Sequence, residues 1–432
     1  MKIVQICPGS GDNFYCENCL RDAALVKAMR KLGHDVLMVP LYLPLQTDKT
    51  EQLSNAPLFF GGVNVYLQQK LAFFRKTPRW IDRWFDSRRL LEWAGRKAGM
   101  TNARDLGEAT ISMLQGEHGR QVKELDRFVD WLQSEPEKPD VVCLSNVLLA
   151  GLVRRIKDRL GVKVVCLLQD EDDFLDGLAS PYAEQGWQIV CERARDIDAF
   201  LSVSQYYADT MKTRLSVPAD RVHVTHMGIE PDIYAPAETA PDVPTIGFLS
   251  RMCANRGLET LVDSFILLKQ NAGLRNARLR ISGGRNASDE PFIEQMRDKL
   301  EKAGVLADAD FVQPFDRDSK LEFLKSLSVL SVPELKPVAY GLYVLESLAM
   351  GVPVVEPAIG CFPETIEMTG GGVLYEPNTA EQLAEVLEPL LSDPQAASKL
   401  GAEGRAGVFK TLDIARTAGE TVRVYEQIVR NS

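Results

Sequence analysis

Short apolar runs alternate along the chain with longer stretches in which apolar residues recur at helical spacing. This alternation is typical of parallel strands joined by helices. In the first half, strands are predicted at residues 3–7, 36–39, 140–144, 163–168, 200–204 and 222–226. In the second half, they are predicted at residues 245–249, 279–282, 311–312, 329–332, 354–355 and 373–375. Two α/β units are therefore expected, joined by a linker at 236–244 that is rich in Pro, Ala and Glu.

Residues 46–139 interrupt this rhythm and are predicted to form an insertion in the first unit. Within it, residues 70–97 contain nine lysines and arginines, three carboxylates and six interleaved aromatic residues. A basic, aromatic segment of this kind can lie in the interface of an anionic membrane. The alternative is a helical subdomain whose aromatic residues pack inward beneath a solvated basic face. We favour the subdomain, because aromatic stripes more often belong to a core.

The composition is that of a soluble globular protein. The chain has 432 residues, of which 45% are hydrophobic and 25% charged, so two or three domains with sizeable cores are expected. Its net charge of −10 argues against a nucleic-acid binder, which would normally be basic. Eight cysteines are too few for a disulfide scaffold, and the sequence lacks both a signal-peptide core and a membrane-spanning apolar run. We therefore expect a cytoplasmic protein.

Cys16 and Cys19 form a single CxxC pair close to the start of the first predicted helix. Two thiols supply only half of the ligands that a structural zinc site needs, so no metal site is predicted. Packed loop thiols are the favoured interpretation. A redox pair at the helix N-terminus is the alternative.

Glycines follow two of the predicted strands and mark places where the backbone can approach a phosphate or a sugar. Gly9 and Gly11 lie in the loop after the first strand, and Gly283 follows the second strand of the second unit. Such glycines alone are weak evidence, because many parallel-sheet proteins have them. After the strand at 163–168, residues 170–173 are four consecutive carboxylates, which either face a substrate or form an exposed acidic turn.

Residues 332–367 combine a strand end, a loop punctuated by proline, a helix that starts at Gly341 and a second strand. The N–H groups at such a helix start favour a phosphorylated or polyhydroxyl ligand. In this helix, Glu346 falls roughly 40° from Leu342 on a wheel of about 100° per residue, at the edge of the apolar stripe. A carboxylate in that position reaches solvent, pairs with a Lys or Arg, or binds a ligand.

This stretch resembles the signature of the retaining, nucleotide-sugar-dependent glycosyltransferases of family four. The matching residues are Tyr340, Gly341, Glu346, the run AMGVPVV at 349–355, Gly360 and Glu364. After the first strand of the second unit, Arg251 matches an arginine of the family, and Arg256 stands where the family usually has a lysine. Val338 stands where the family has the first Glu of its paired-Glu motif.

The resemblance implies an α/β protein with the GT-B fold, in which two Rossmann-like parallel-sheet domains face a central cleft. The acceptor domain is expected at residues 1–236 and includes the insertion at about 46–139. The nucleotide-sugar domain is expected at residues 244–410. Residues 411–432 should form a helix that returns to the first domain.

The resemblance also implies an enzyme of the hexosyltransferase type, which moves a sugar with retention from a UDP- or GDP-linked donor. The acceptor would be a hydroxyl of a glycan or lipid-linked glycan, as in the synthesis of cell-envelope polysaccharides. Arg251 and Arg256 would stabilise the departing diphosphate, and Glu346 would bind the nucleotide ribose. The remaining residues expected at the donor are Gly9, Gly11, Gly283, Ala339, Tyr340, Gly341 and Leu342. Neither a metal nor a separate cofactor is implied.

Val338 motivates an alternative, a nucleotide-sugar-binding protein whose transferase activity is lost or altered. In the family, the Glu at this position hydrogen-bonds hydroxyls of the donor sugar, which a valine cannot do. For a lipid-linked acceptor, residues 70–97 would be the segment that contacts the inner face of the membrane.

Overall fold

The structure, a computed structural model, describes residues 1–9, 17–42, 57, 59–60, 103–237, 239–313 and 316–430. Gly11, Cys16, the side chain of Cys19 and the basic segment 70–97 lie outside this described part. The expectations for the CxxC pair and for membrane contact therefore stay predictions. Among the helices formed by the described residues, none combines enough length with enough apolar character to cross a bilayer.

The chain divides by its packing into two compact units. The first comprises Met1–His226 together with Thr417–Ser432, and the second comprises Met227–Arg416. Each unit contains one six-stranded sheet, and every strand pair in both sheets is parallel. The predicted α/β class with two parallel sheets is confirmed.

The first unit contains a sheet with the strand order β2-β1-β3-β4-β5-β6. Its strands are β1 (Lys2–Cys7), β2 (Asp35–Pro40), β3 (Val141–Leu144), β4 (Lys163–Leu168), β5 (Ala199–Ser202) and β6 (Val222–Val224). Its helices, as far as the described residues show them, are α1 (Glu17–Lys31), α2 (Ala103–Leu114), α3 (Val122–Ser134), α4 (Val153–Leu160), α5 (Glu171–Asp176), α6 (Tyr182–Ala194) and α7 (Gln205–Leu215). Every residue of β3 and β5 is buried, because helices cover both faces of a parallel sheet.

The second unit contains a sheet with the strand order β12-β11-β10-β7-β8-β9. Its strands are β7 (Thr245–Leu249), β8 (Arg278–Ser282), β9 (Ala309–Phe311), β10 (Val329–Leu330), β11 (Val354–Pro357) and β12 (Gly372–Tyr375). Its helices, among the described residues, are α8 (Leu258–Leu268), α9 (Glu290–Lys302), α10 (Arg317–Lys325), α11 (Leu342–Ala349), α12 (Phe362–Thr369), α13 (Ala380–Ser392) and α14 (Pro394–Thr411). The last helix, α15 (Ile414–Arg430), belongs to the first unit from Thr417 onward.

Strand β10 is shorter than the apolar run at 329–332 predicts. The Ser331 N–H still donates to the Gly247 carbonyl of β7 at 3.0 Å. The next N–H, that of Val332, donates instead to both carboxyl oxygens of Glu356, each at 3.3 Å. A side chain of β11 therefore replaces the ladder partner and ends the strand, so that the following loop leaves the sheet at this point.

Local capping sets the ends of helices near the sheets. Thr379 precedes α13, and its hydroxyl accepts a hydrogen bond from the Gln382 N–H at 3.3 Å, so Thr379 is the N-cap of this helix. Gly161 follows α4 in the left-handed conformation, with φ of +59°, and its N–H bonds the Lys157 carbonyl. A helix end of this kind lets the chain enter the next strand, β4, within a few residues.

Candidate active site

The carboxyl ends of β7 and β10 form a switch point in the second sheet. These two strands are neighbours, and the chain leaves them towards opposite sides of the strand order, through β8 on one side and β11 on the other. Ligands of open α/β sheets bind at such a point, because the two following loops diverge there. The loops are residues 250–257 after β7 and 331–341 after β10. Both contain residues predicted for the donor site.

Arg251 lies in the first of these loops and pairs with Asp289. Its Nε and Nη2 donate to the two carboxyl oxygens of Asp289 at 3.0 and 2.9 Å. Half of the Arg251 side chain is exposed, whereas that of Asp289 is buried. Burial opposes ionisation of Asp289, but the bonds from Arg251 and from the Asn286 N–H leave its pKa below the usual value. The pair holds the Arg251 guanidinium in a fork geometry at the edge of the sheet.

Arg256, in the same loop, pairs with a carboxylate of the second loop. Its Nη1 donates to Glu334 Oε1 at 3.0 Å, and the Tyr343 hydroxyl donates to the same oxygen at 3.2 Å. The Glu334 side chain is 2% exposed, whereas that of Arg256 is 27% exposed. Burial raises the pKa of Tyr343 well above its usual value, so Tyr343 stays a donor. The arrangement joins the loop after β7 to helix α11.

Gly257 makes the close approach of the two loops sterically feasible. Its φ is +70°, and a Cβ built on it would lie 1.8 Å from the Pro333 carbonyl oxygen. Gly283 plays a similar part after β8, since a Cβ there would lie 1.9 Å from the Ser250 carbonyl oxygen. Only glycine combines a positive φ with so close a backbone contact. Gly283 is thus placed beside the loop that contains Arg251.

Glu346 lies on α11 and is 5% exposed. Its Oε1 accepts a hydrogen bond from the Tyr234 hydroxyl at 3.1 Å and another from Lys320 Nζ at 2.6 Å. The Lys320 side chain is itself 8% exposed. Pairing with a lysine was one of the outcomes that the apolar position of Glu346 predicted. The partner, however, comes from α10, and the wheel of α11 gives no indication of it.

The residues that lead into α11 are packed tightly. Ala339 and Gly341 are buried, Tyr340 is half-buried, and Gly341 is the residue immediately before Leu342, where α11 begins. Val338, the departure from the family motif, is 6% exposed. Its carbonyl accepts the Cys361 N–H at 3.1 Å, and a Cβ at Gly360 would lie 2.5 Å from its nitrogen. The helix start is thus fixed by backbone contacts with the loop after β11.

The first unit places its own candidate residues at the carboxyl ends of β1 and β4. Gly9 follows β1 with φ of +90°. After β4, the carboxylates of residues 170–173 differ in their burial. Glu171 is buried and accepts bonds from the Gln169 N–H at 2.7 Å and the Tyr207 hydroxyl at 2.8 Å, whereas Asp173 is exposed. The run is therefore not a uniformly exposed acidic turn, because Glu171 ties the start of α5 to the structure beneath it.

Burial changes the ionisation of two carboxyl groups, Glu171 of the acidic run and Glu356, to which the sequence assigns no role. It raises the pKa of Glu171 to about 7, although the bonds from the Gln169 and Val147 N–H groups and from Tyr207 favour the charged form. Burial also raises the pKa of Glu356 well above its usual value. Glu171 is the first residue of α5, just after β4, and Glu356 lies in β11, next to its last residue.

Sequence reasoning also missed Lys320, Tyr234, Asp289 and Glu334 as partners of the predicted site residues. A signal for one of them exists. Lys320 recurs at helical spacing with Phe323 and Leu324, and these three are the buried residues of α10. A lysine in an apolar stripe indicates a buried partner.

Two family models match most of the chain. The model described as "Glycosyl transferase 4-like domain" matches residues 23–228, and the one described as "Glycosyl transferases group 1" matches residues 232–407. The chain belongs to the group 1 glycosyltransferases. The predicted family is therefore confirmed, and the Arg251, Arg256 and Glu346 side chains lie within the region that the group 1 model covers.

The curated relatives of this group 1 glycosyltransferase match over about half of the chain. Alpha-maltose-1-phosphate synthase of Mycolicibacterium smegmatis is 27% identical over 254 residues, which is 54% of this chain and 63% of the relative. The MMP alpha-(1->4)-mannosyltransferase of Mycolicibacterium hassiacum is 25% identical over 55% of this chain and 56% of the relative. The matched part of the chain thus spans less than two thirds of each of these proteins.

Solved structures resemble the whole chain. Sucrose-phosphate synthase of Thermosynechococcus elongatus is similar with a TM-score of 0.72 and 16% identity, covering 100% of both chains. The HepE protein of Anabaena, solved in complex with UDP, gives a TM-score of 0.68 and 13% identity over 99% of this chain and 100% of that one. This likeness shows the fold, which is GT-B as predicted.

Proposed function

We propose that this protein is a retaining glycosyltransferase, which moves a sugar from a UDP- or GDP-linked donor to a hydroxyl of a glycan or lipid-linked glycan. The observation that carries the proposal is that Arg251 and Arg256 lie in the loop after β7 and Glu346 lies on the helix after the β10 loop, in a chain of the group 1 family. A nucleotide-linked donor is also supported by the solved relative of the same fold that binds UDP.

The departing nucleoside diphosphate develops negative charge that the site must stabilise. Arg251 and Arg256 supply fixed cations, because Asp289 and Glu334 hold their guanidinium groups in place. The start of α11 adds the positive end of a helix dipole. Preorganised charges of this kind stabilise a transition state without reorganisation. They can do so without a metal ion, so activity should persist in EDTA.

The acceptor hydroxyl is proposed to bind to the first unit, at the loops after β1 and β4. Glu171 fixes the start of α5 through Gln169 and Tyr207, and Asp172 also accepts a bond from the Tyr207 hydroxyl at 2.9 Å, so the exposed Asp173 is proposed as the carboxylate that contacts an acceptor. Carboxylates accept hydrogen bonds from sugar hydroxyls. An exposed carboxylate beside a buried one supports a polyhydroxyl acceptor at this loop.

The experiment is an incubation of the protein with UDP- and GDP-linked sugars and a panel of glycan and lipid-linked acceptors. We expect nucleotide release that depends on one donor, with the anomeric configuration of the donor kept in the product, as measured by NMR. Binding of a nucleotide sugar without turnover for any acceptor would contradict the transferase. It would support the binding protein that Val338 motivates.

We also propose a cytoplasmic protein whose segment 70–97 contacts the inner face of the membrane when the acceptor is lipid-linked. The charge and aromatic content of that segment support the proposal. Sedimentation with anionic liposomes at low salt should bring down the protein and should fail at high salt. No sedimentation at low salt would rule out this contact.

A further inference from the structure

Lys320 occupies a place where a lysine is unusual. It lies on the buried face of α10 beside Phe323 and Leu324, and its side chain is 8% exposed. Lysines are almost never fully buried unless they are paired. Here the ammonium nitrogen lies 2.6 Å from Oε1 of Glu346, whose side chain is 7% exposed. The core of the second unit thus contains an ion pair that joins α10 to α11.

Stability alone is a poor reason for such a pair. Removing two charges from water is costly, and replacing a buried ion pair by apolar residues of similar volume is often neutral or stabilising. An apolar residue at position 320 would continue the stripe that Phe323 and Leu324 begin. A lysine at this position therefore indicates that its contact with Glu346 serves ligand binding rather than stability.

The two donors to Glu346 share one of its oxygens. Both Lys320 Nζ and the Tyr234 hydroxyl approach Oε1, and no residue of the described ranges donates to Oε2. An ionised carboxylate has about four acceptor positions, two on each oxygen. The arrangement fixes the carboxylate by one oxygen and leaves the other able to accept hydrogen bonds from a ligand.

We propose that Lys320 is a positioning residue that, together with Tyr234, holds Glu346 by Oε1 and so orients its Oε2 to accept the ribose hydroxyls of the donor nucleotide. The inference rests on the proposed nucleotide-linked donor. It adds that recognition of ribose depends on α10 as well as on α11. Without the ammonium group, Oε1 would lose the shorter of its two hydrogen bonds, and the carboxylate would no longer be held in one orientation.

The test measures binding of UDP, GDP and their 2′,3′-dideoxy analogues by calorimetry. The dideoxy analogues keep the base and the diphosphate and lack only the hydroxyls that Glu346 would accept. The wild-type protein should bind its preferred ribonucleotide about tenfold to a hundredfold more tightly than the analogue, as expected for hydrogen bonds to a charged group. In the Lys320→Met variant, this ratio should fall to within about threefold of unity.

Lys325→Met is the matched control. Lys325 lies on the same helix, but it is partly exposed and pairs with its helical neighbour Glu322. This variant should keep the ratio of the wild-type protein. If Lys320→Met fails to fold, Lys320→Gln takes its place, because its polar side chain suits the site better, while its shorter, uncharged amide holds Oε1 less strongly than the ammonium group does. We expect a reduced ratio there as well.

The outcomes separate this inference from the proposed function. A wild-type protein that binds neither UDP nor GDP would overturn both. A wild-type protein that binds a ribonucleotide and its dideoxy analogue equally well would overturn the inference alone. A folded Lys320→Met or Lys320→Gln variant that keeps the full wild-type ratio would also overturn the inference. Glu346 would then bind the ribose hydroxyls without depending on Lys320.

Discussion

At the scale of single residues, Arg256 offers the most direct test of the proposed site. Its guanidinium bonds the buried Glu334 and is only partly exposed. The Arg256→Ala variant should lower kcat/KM for the donor about a hundredfold to a thousandfold, because one preorganised charge is lost from the leaving diphosphate. Arg256→Lys should lower kcat/KM by a smaller factor, since it keeps the positive charge and lacks only the planar, two-pronged hydrogen-bonding group of arginine. Steady-state kinetics with the donor that the activity screen identifies provides the measurement.

Arg278 is the control for Arg256. It lies on β8 and pairs with Asp310 at the surface, where ion pairs contribute little. Arg278→Ala should therefore leave kcat/KM unchanged. Thermal unfolding of each variant should accompany the kinetics, because Arg256→Ala leaves Glu334 buried without its cation. An Arg256→Lys variant that folds and is as inactive as Arg256→Ala would show that the fork geometry matters more than the charge.

Glu171 should make the stability of the first unit depend on pH. Its pKa is raised by burial from an ordinary value of 4.5 to about 7. Between these values the folded protein holds a proton that the unfolded chain has released, so stability falls as pH rises through this window. Relative to Glu171→Gln, the wild-type free energy of unfolding should fall by up to about 3 kcal/mol, at about 1.4 kcal/mol per pH unit.

Urea unfolding at several pH values between about 4.5 and 7.5 measures this dependence. Asp173→Asn is the control, because Asp173 belongs to the same acidic run and is exposed. It should follow the wild-type protein at every pH. A wild-type protein whose stability relative to Glu171→Gln stays flat over this range would mean that Glu171 is ionised in the folded state.

At the scale of elements, the loop after β7 depends on Gly257. A side chain there would combine φ of +70° with a Cβ 1.8 Å from the Pro333 carbonyl oxygen. Gly257→Ala should lower the free energy of unfolding by about 2 kcal/mol or more, since the backbone strain and the overlap add. It should also weaken nucleotide binding, because the displaced loop contains Arg256. Urea unfolding and calorimetry measure the two effects.

Gly284→Ala is the matched control. A Cβ built at Gly284 meets nothing within 4 Å apart from its own chain neighbours. This variant should change neither stability nor affinity by a measurable amount. If both variants behave alike, the contact with Pro333 does not position the loop.

The strands of both sheets could be predicted from local sequence because parallel strands buried on both faces are nearly continuous apolar runs. Helix starts with clear capping residues, such as Thr379, are also indicated by local sequence, because the capping side chain bonds an N–H only three residues away. Local patterns do not determine which strands become neighbours, and the switch point between β7 and β10 depends on that order. The apolar run at 329–332 is longer than β10, because the Val332 N–H bonds the Glu356 side chain instead of a neighbouring strand.

The chemistry of the site could be predicted only in part. Motif positions in the sequence indicate Arg251, Arg256 and Glu346, and each of them lies in the second unit. Their partners come from other elements, such as Lys320 on α10, which is 26 residues from Glu346 along the chain. Pairings across such distances depend on tertiary packing, and no periodicity within one helix predicts them.

At the scale of the whole molecule, the end of the chain should stabilise the first unit. Residues Thr417–Ser432 belong to that unit by packing, and Tyr425 in α15 is fully buried. Tyr425→Ala should lower the free energy of unfolding of this unit by about 3–5 kcal/mol, because a large aromatic side chain leaves a cavity. The second unit should be unaffected, since it lacks this residue.

The tryptophans of the chain make the two units distinguishable. All five precede residue 227, at positions 80, 84, 93, 131 and 187, so tryptophan fluorescence follows the first unit. In Tyr425→Ala, the fluorescence midpoint in urea should fall by about 1–2 M, the size expected for that loss of free energy in a large unit. Arg423 is exposed on the same helix, so Arg423→Ala should leave the fluorescence midpoint unchanged.

Affinity for UDP or GDP, a property proposed for the second unit, should stay at the wild-type value in both variants. A wild-type midpoint in Tyr425→Ala would mean that the packing of α15 contributes little to the first unit.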